Sequence, residues 1–421
     1  MPEPEGTLRP EVNILFVLSP TASSLPNTMV KKISEFPFID KKFNLFVLTG
    51  LSKYTAAEIE RLKGIHGLSF DLYQLPVLGS LKGALIHVLY WFESIYFGAK
   101  IVKEKKIDLL ICPDDHVRIG SVSYLISRLT HRKCILRVSA DFLIPLICFL
   151  RRTKNPIFSR TFVANVTGLV FRRLESFFLK HADRIVTPGP MDFEKIKQIT
   201  PNVSLVPLWV NLGEFKPLNK STVQEFKHHL ISGNLSSLKK NSKILLFVGR
   251  LHPEKDIKTL IEMFKIVSEE EDDVLLVIVG DGDYRQEYVA LAEQLELSEK
   301  IIFKGWVPHN EMPYYYNVAD VYILCSWREE WSNTIMEAMG CKTPVIATNV
   351  GGNRYLVNDG VTGFLVPSRD PKKLAEKVKY VLANNSLASQ VTEKALERMR
   401  DYRKENIAGM YEDIVRKLVK S

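Results

Sequence analysis

One stretch constrains this chain more than any other: YILCSWREEWSNTIMEAMGCKTPVIATNVGGN, residues 322–353. An apolar run ends near Cys325 and Ser326, and a turn rich in carboxylates follows. Ser332 or Asn333 then has the chemistry of an N-cap for a helix running through Met339, which Gly340 stops. PVIA at 344–347 opens the next strand before Gly351 and Gly352 turn the chain. Strand, loop, helix, strand is a βαβ unit, so ligands are expected above the carboxyl ends of its strands. The helix N-terminus brings unpaired amides and a positive dipole end, a seat for phosphate. Glu329 precedes that seat and Glu337 lies inside the helix, eight residues on.

The bulk numbers narrow the setting. At 421 residues the chain is too long for one core and suits two domains. With 46% hydrophobic and 25% charged residues it is globular rather than disordered. Its longest apolar run, Phe142 to Leu150, falls far short of the roughly 20 residues that span a bilayer. The opening MPEPEGTLRPEVN has acids and prolines where a signal peptide has a basic and then an apolar region. Cysteines 112, 134, 148, 325 and 341 show no CxxC spacing and read as reduced core residues, so the expected location is the cytoplasm.

Strands alternate with helices along the first half. VNILFVLS (12–19), NLFVLT (44–49), DLLICP (108–113) and CILRVS (134–139) read as buried strands, with a helical stretch from about Leu81 to Lys106. This alternation predicts a doubly wound parallel sheet. Two polar residues fall at carboxyl ends of strands, His116 and Asp141. Asp141 could accept a ligand hydroxyl or assist a proton transfer, or it could cap the helix beginning at Phe142. The polar residues 219–242 read as exposed surface.

A second sheet opens with KILLFVGRLHPEKDIKTLIEMF. Arg250 and Lys255 stand five apart around a strand-to-helix turn, so both cations can meet one diphosphate. In VLLVIVGDGDY, Gly280 and Gly282 make only half a dinucleotide fingerprint. Asp281 and Asp283 form a D-x-D, but one that ends a strand and turns into a helix, which disfavours metal ligation.

The glutamate pair with EAM, PVIAT and two glycines, set beside GRL-x-x-E-K and IIFKGWVP, resembles the family 4 retaining glycosyltransferases, the glycosyl transferases group 1. The resemblance is dense from Lys243 to Val378 and diffuse before Ala182. It implies an α/β chain of GT-B fold: two Rossmann-like doubly wound domains facing a cleft, with a C-terminal helix crossing back to the first. The boundaries expected are 1–207, with crossover helix 402–421, and 208–401. The first domain would hold the acceptor and the second a nucleotide-sugar, a ligand with hydroxyls on both sides of a phosphate.

In that family Arg250 and Lys255 would hold the donor phosphates and the Val307 turn the base. Glu329 would hold the transferred sugar, Glu337 the ribose, and the amides of Ser332, Asn333 and Thr334 the diphosphate. Asp141 falls where the family often has a histidine. The implied reaction retains configuration by front-face attack with a donor phosphate oxygen as base, without metal or further cofactor. A retaining phosphorylase or an epimerase of the same fold is the alternative. Two departures stand out: SPTASSLPNTMVKK replaces the usual glycine-rich loop after the first strand, and Glu330, Trp331 and Ser332 stand where glycines are common. VSLVPLWVNLGEFKP resembles the segment joining the domains and reads as a hinge rather than a binding site.

The net charge of +9 is uneven, with eight Lys or Arg against two acids between Leu143 and Arg184. No nucleic-acid-binding module accompanies this patch, so nucleic acid is not an expected partner. Apolar runs flanked by Arg151, Arg152, Arg172 and Arg173 either form core helices with solvated arginines or lie in the interface of an anionic membrane. The family's frequent use of glycan or lipid-linked acceptors favours peripheral association with a membrane's inner face.

Overall fold

The computed structural model describes residues 12–18, 43–49, 71–74, 84–113, 117–138, 173, 176–232 and 242–420. The chain divides into two compact units, Met1–Pro207 with Ile407–Ser421, and Leu208–Asn406.

The first unit contains a parallel sheet of β1 (Val12–Val17), β2 (Phe43–Thr49), β3 (Asp71–Gln74), β4 (Leu109–Cys112), β5 (Lys133–Arg137), β6 (Arg184–Thr187) and β7 (Val203–Leu205). Their order is β3-β2-β1-β4-β5-β6-β7 among the described residues. Ile14 to Leu18 and Leu109 to Ile111 are fully buried, as expected for central parallel strands covered on both faces. The helices Ala84–Glu104 and Val117–Thr130 supply the crossovers into β4 and β5. Strand β3, sequence DLYQ, has no counterpart in the sequence reading. It is a four-residue edge strand with one apolar pair, too little to show a period.

The second unit repeats the winding with β8 (Lys243–Val248), β9 (Val274–Val279), β10 (Ile301–Gly305), β11 (Val321–Leu324), β12 (Val345–Thr348) and β13 (Phe364–Val366). The order is β10-β9-β8-β11-β12-β13, again all parallel. The winding direction reverses between β8 and β11, and a crevice outside their carboxyl ends is where such sheets bind ligands. The core is continuous from β9, whose VLLVIV is buried throughout, to the helix Ile257–Glu270 and the helix Asn333–Gly340.

The exposed surface expected over 219–242 is corrected in part. Lys220–Ser232 form a helix in which Leu230 and Ile231 are buried and Phe226 packs on Tyr314 and Tyr315. Val223, Phe226 and Leu230 recur at helical spacing, a narrow apolar stripe that the polar average of the segment conceals.

Two segments link the units, one at Pro207–Leu208 and one at Asn406–Ile407. They leave the second unit from neighbouring backbone, because Val210 N donates to Tyr402 O at 2.9 Å and Val210 bridges Arg403 in parallel. The terminal helix Lys404–Lys420 buries Ile407, Tyr411, Val415 and Leu418, one stripe along its length. Among the described residues no helix is long and apolar enough to cross a membrane. Cys112, Cys134, Cys325 and Cys341 are buried free thiols, while Cys148 lies outside the described residues.

Candidate functional site

The turn after β8 and the loop after β11 meet at the point where the winding reverses. Pro253–Lys255 form a single 3-10 turn, and Asp256 closes it in the left-handed region at φ 52° before the helix Ile257–Glu270 begins. The loop is fastened to this turn at several points. Trp327 N donates to Glu254 O at 3.0 Å, and its indole N–H donates to Pro253 O at 2.9 Å. The buried Cys325 thiol reaches the carbonyls of Lys255 and Asp256, each at 3.2 Å.

Within this frame Lys255 Nζ donates to Glu329 Oε2 at 2.6 Å. Ser326 Oγ donates to the same oxygen at 3.1 Å. Both bonds fall on Oε2, so Oε1 is the oxygen left to address a ligand. Two residues assigned to different parts of one ligand therefore form a single pair, with side chains only 17% and 12% exposed.

The loop is set in place from below. Gly351 takes φ 47°, and a Cβ there would lie 1.5 Å from the Glu329 carbonyl oxygen. On Gly352 a Cβ would lie 1.9 Å from that of Glu330, and Gly352 N donates to Glu329 O at 2.9 Å. The glycine pair is thus the floor on which the carboxylate loop rests. Gly280 has a similar cause: its absent Cβ would meet Gly249 O at 1.9 Å, which explains the glycine without a dinucleotide.

Ser332 is the N-cap of the helix Asn333–Gly340, its side chain accepting from Ile335 N at 3.3 Å. Thr334 Oγ1 is held by the buried Tyr322 hydroxyl at 2.6 Å and lies 2.9 Å from Ser332 Oγ. Burial pushes the Tyr322 phenol well above its ordinary value, so it stays a donor. The amides of Asn333 and Thr334, the first two of the helix, have no intrahelical acceptor by the geometry of a helix end. They are the amides that the sequence reading assigns to a phosphate.

Glu337 sits further along the same helix with its side chain 12% exposed. Tyr316 OH donates to Oε2 at 2.7 Å, and His309 Nε2 lies 3.1 Å from Oε1. Burial first and the Glu337 charge second hold the Tyr316 phenol well above its ordinary value. The joining segment, read as a hinge, also reaches this point. Phe215 packs its ring edge-on against His309 at 5.1 Å, and Glu214 Oε1 lies 3.9 Å from His309 Nδ1. His309, Tyr316, Ser326 and Trp327 went unread in the sequence. Only His309 carried a signal, as a titratable residue two positions after Val307.

Arg250 is exposed and pairs with Glu254 at 3.1 Å, so it stands at the rim beside Lys255 rather than inside the pair. Val307 is buried just past β10. Asp281 Oδ1 accepts from Gly282 N at 2.8 Å, the bond of a turn-forming aspartate. Among the described residues no three His, Cys, Asp or Glu cluster as metal ligands would. Asp141, His116, the stretch 19–32, Arg151, Arg152 and Arg172 lie outside the described residues, whereas Arg173 is described and exposed.

Residues 235–398 match the family model described as Glycosyl transferases group 1. The alpha-monoglucosyldiacylglycerol synthase of Streptococcus pneumoniae is 30% identical over 185 residues, 43% of this chain and 40% of that protein. The UDP-Gal:alpha-D-GlcNAc-diphosphoundecaprenol alpha-1,3-galactosyltransferase of Escherichia coli is 27% identical over 286 residues, 66% of this chain and 67% of that protein. The chain thus spans well under half the length of the first relative and about two thirds of the second. Anabaena Alr3699/HepE, solved with UDP and glucose, superposes over 97% of this chain and 100% of its own with a TM-score of 0.72 at 19% identity. That likeness carries a GT-B fold across both units, and within it residues 235–398 are similar to the glycosyl transferases group 1.

Proposed function

We propose that this protein is a retaining hexosyltransferase that moves a sugar from a nucleotide-sugar to a hydroxyl of a glycan, glycolipid or lipid-linked acceptor. The observation that carries the reading is the Lys255–Glu329 pair beside a capped helix N-terminus, with Glu337 further along that helix. A cation, free amides and two carboxylates match, in order, a diphosphate flanked by sugar and ribose.

In this reading Lys255, Arg250 and the amides of Asn333 and Thr334 neutralise the leaving diphosphate. Val307 lies against the base, and Glu337 accepts from the ribose hydroxyls. Glu329 Oε1 accepts from the transferred sugar. The bond from the anomeric carbon to the phosphate oxygen breaks and a bond to the acceptor oxygen forms on the same face. The acceptor proton passes to a donor phosphate oxygen, so neither a protein nucleophile nor a metal is needed. Asp141 would assist on the acceptor side. The HepE structure with UDP and glucose, and the galactosyltransferase named for UDP-Gal, support a nucleotide-sugar donor. The two curated relatives' names each include a lipid, which supports a lipid-linked acceptor and peripheral membrane association of this chain.

A thermal-shift screen against UDP-, GDP- and ADP-sugars tests the reading, followed by the anomeric configuration of any product by NMR. A stabilising nucleotide-sugar and a retained configuration are expected. Inversion would overturn the stereochemistry. Turnover with inorganic phosphate but with no nucleotide-sugar would replace the transferase by a phosphorylase.

A further inference from the structure

Glu337 is unusually well furnished for a carboxylate that has only ribose hydroxyls to receive. Each of its oxygens already holds a donor of its own, Tyr316 on Oε2 and His309 on Oε1. An ionised carboxylate only accepts, so the His309 contact requires the proton on Nε2. The two donors differ in kind. Tyr316 is fully buried, whereas the His309 side chain is 65% exposed and stands at the surface.

His309 is itself held from behind. The Phe215 ring meets it edge-on at 5.1 Å and also meets Tyr316 at 6.0 Å, so one fully buried phenylalanine supports both donors. Phe215 also packs closely on the helix that carries Glu337, its carbonyl oxygen lying 2.7 Å from where a Cβ on Gly340 would be. Glu214 stands 3.9 Å from Nδ1, on the far side of the imidazole from Glu337. His309 opens the 3-10 turn His309–Glu311, immediately after the Val307–Pro308 segment assigned to the base.

We propose that His309 is the positioning residue that sets ribose selectivity. By donating Nε2–H to Oε1 it fixes the rotation of the Glu337 carboxylate, so that the remaining lone pairs face the 2′- and 3′-hydroxyls together. The ligand class is a ribonucleoside diphosphate, as free product or as the head of the donor. A carboxylate held at both oxygens has one orientation to offer. Released at Oε1, it turns about the Tyr316 bond and reaches one hydroxyl at a time. The inference rests on the ribose assignment of Glu337 made above.

The experiment measures binding of UDP, GDP and ADP and of their 2′-deoxy forms by calorimetry, to wild type, His309→Ala, His309→Gln and Glu337→Gln. The nucleotide that binds tightest is carried forward, with inorganic pyrophosphate as a control that touches neither residue. Wild type should favour the ribo form, and Glu337→Gln should abolish most of that preference. His309→Ala should lower the ribo-to-deoxy ratio about 5- to 10-fold, the range of one hydrogen bond. His309→Gln, whose amide can still donate, should restore at least half of the ratio, and pyrophosphate binding should not change. The exposed position of His309 makes both of its variants tolerable to the fold. An unchanged ratio in His309→Ala, with Glu337→Gln abolishing it, overturns the role of His309 and leaves that of Glu337. No preference in wild type, or an unchanged one in Glu337→Gln, overturns the ribose assignment itself and the proposal with it.

Discussion

Lys255 and Glu329, 74 positions apart in sequence, meet at 2.6 Å across the point where the second sheet reverses its winding. Such a pair has two consequences. It keeps a cation and an anion in place before any ligand arrives, and it makes each side chain a condition of the other's burial.

Removing one partner should therefore cost stability as well as activity. Breaking a buried pair costs about 3–5 kcal/mol, and the partial exposure of this one lowers the expectation to roughly 1–3 kcal/mol. Lys255→Met should show that loss in urea unfolding, and Lys255→Met with Glu329→Gln should recover part of it. Both variants, and Glu329→Gln alone, should lose at least about 100-fold in transfer, two hydrogen-bond-sized contributions at the diphosphate and sugar. Strictly additive stability losses would mean the pair is an accident of geometry.

The two carboxylates should separate kinetically. Glu329→Gln is expected to lower the rate of transfer far more than nucleotide affinity, because the proposal gives Oε1 to the sugar. Glu337→Gln is expected to weaken free nucleotide binding first. Calorimetry with the nucleotide beside steady-state rates decides it, and equal effects on both quantities would reverse neither role but remove both.

Tyr316 gives the site a pH signature. Its phenol is held above the ordinary value of about 10, so its hydrogen bond to Glu337 is intact below that pH. A raised pKa contributes stability that is lost as pH climbs through the folded value. Wild type should lose stability above about pH 10. Tyr316→Phe should be less stable by about 1–2 kcal/mol at pH 7 and fall less steeply above pH 10. Parallel stability curves for the two proteins would contradict this account.

Much of this was legible beforehand, for definite reasons. The strand β9, VLLVIV, could only be a buried strand, and Ser332 could be read as a cap because a serine oxygen has one obvious use at a helix start. Strand β3 and the helix Lys220–Ser232 were not legible, the one too short for a period and the other apolar on too narrow a stripe. At the site, Lys255 and Glu329 could each be assigned a role, yet their mutual contact is tertiary and leaves no trace in spacing. The same holds for His309, which becomes meaningful only when Phe215 and Glu337 arrive from distant parts of the chain.

Transfer should survive excess EDTA. In the proposed site Lys255, Arg250 and a helix N-terminus would supply the positive charge that a metal would otherwise bring to the diphosphate. Activity lost to chelator and restored by manganese or magnesium would reassign Asp281 and Asp283.

Membrane association can be tested by sedimentation with vesicles of rising phosphatidylserine content. Binding should fall as salt rises, since screening shortens the reach of surface charge. It should also weaken when Arg151, Arg152, Arg172 and Arg173 become Ser, each basic residue contributing about 1 kcal/mol. Wild type remaining in the supernatant at low salt would point to a soluble acceptor.

The glycine floor beneath Glu329 carries a lesson for anyone transplanting this chemistry. A Cβ on Gly351 would occupy the space of the Glu329 carbonyl, so a loop moved to another scaffold without residues 349–353 would arrive without its seat. Gly351→Ala should abolish transfer, while Gly409→Ala, which meets nothing within 4 Å in its helix, should be neutral or stabilising. A saturation scan would then rank a residue with no side chain among the most indispensable in the protein. The heritable unit of this site is not the loop but the loop together with the emptiness under it.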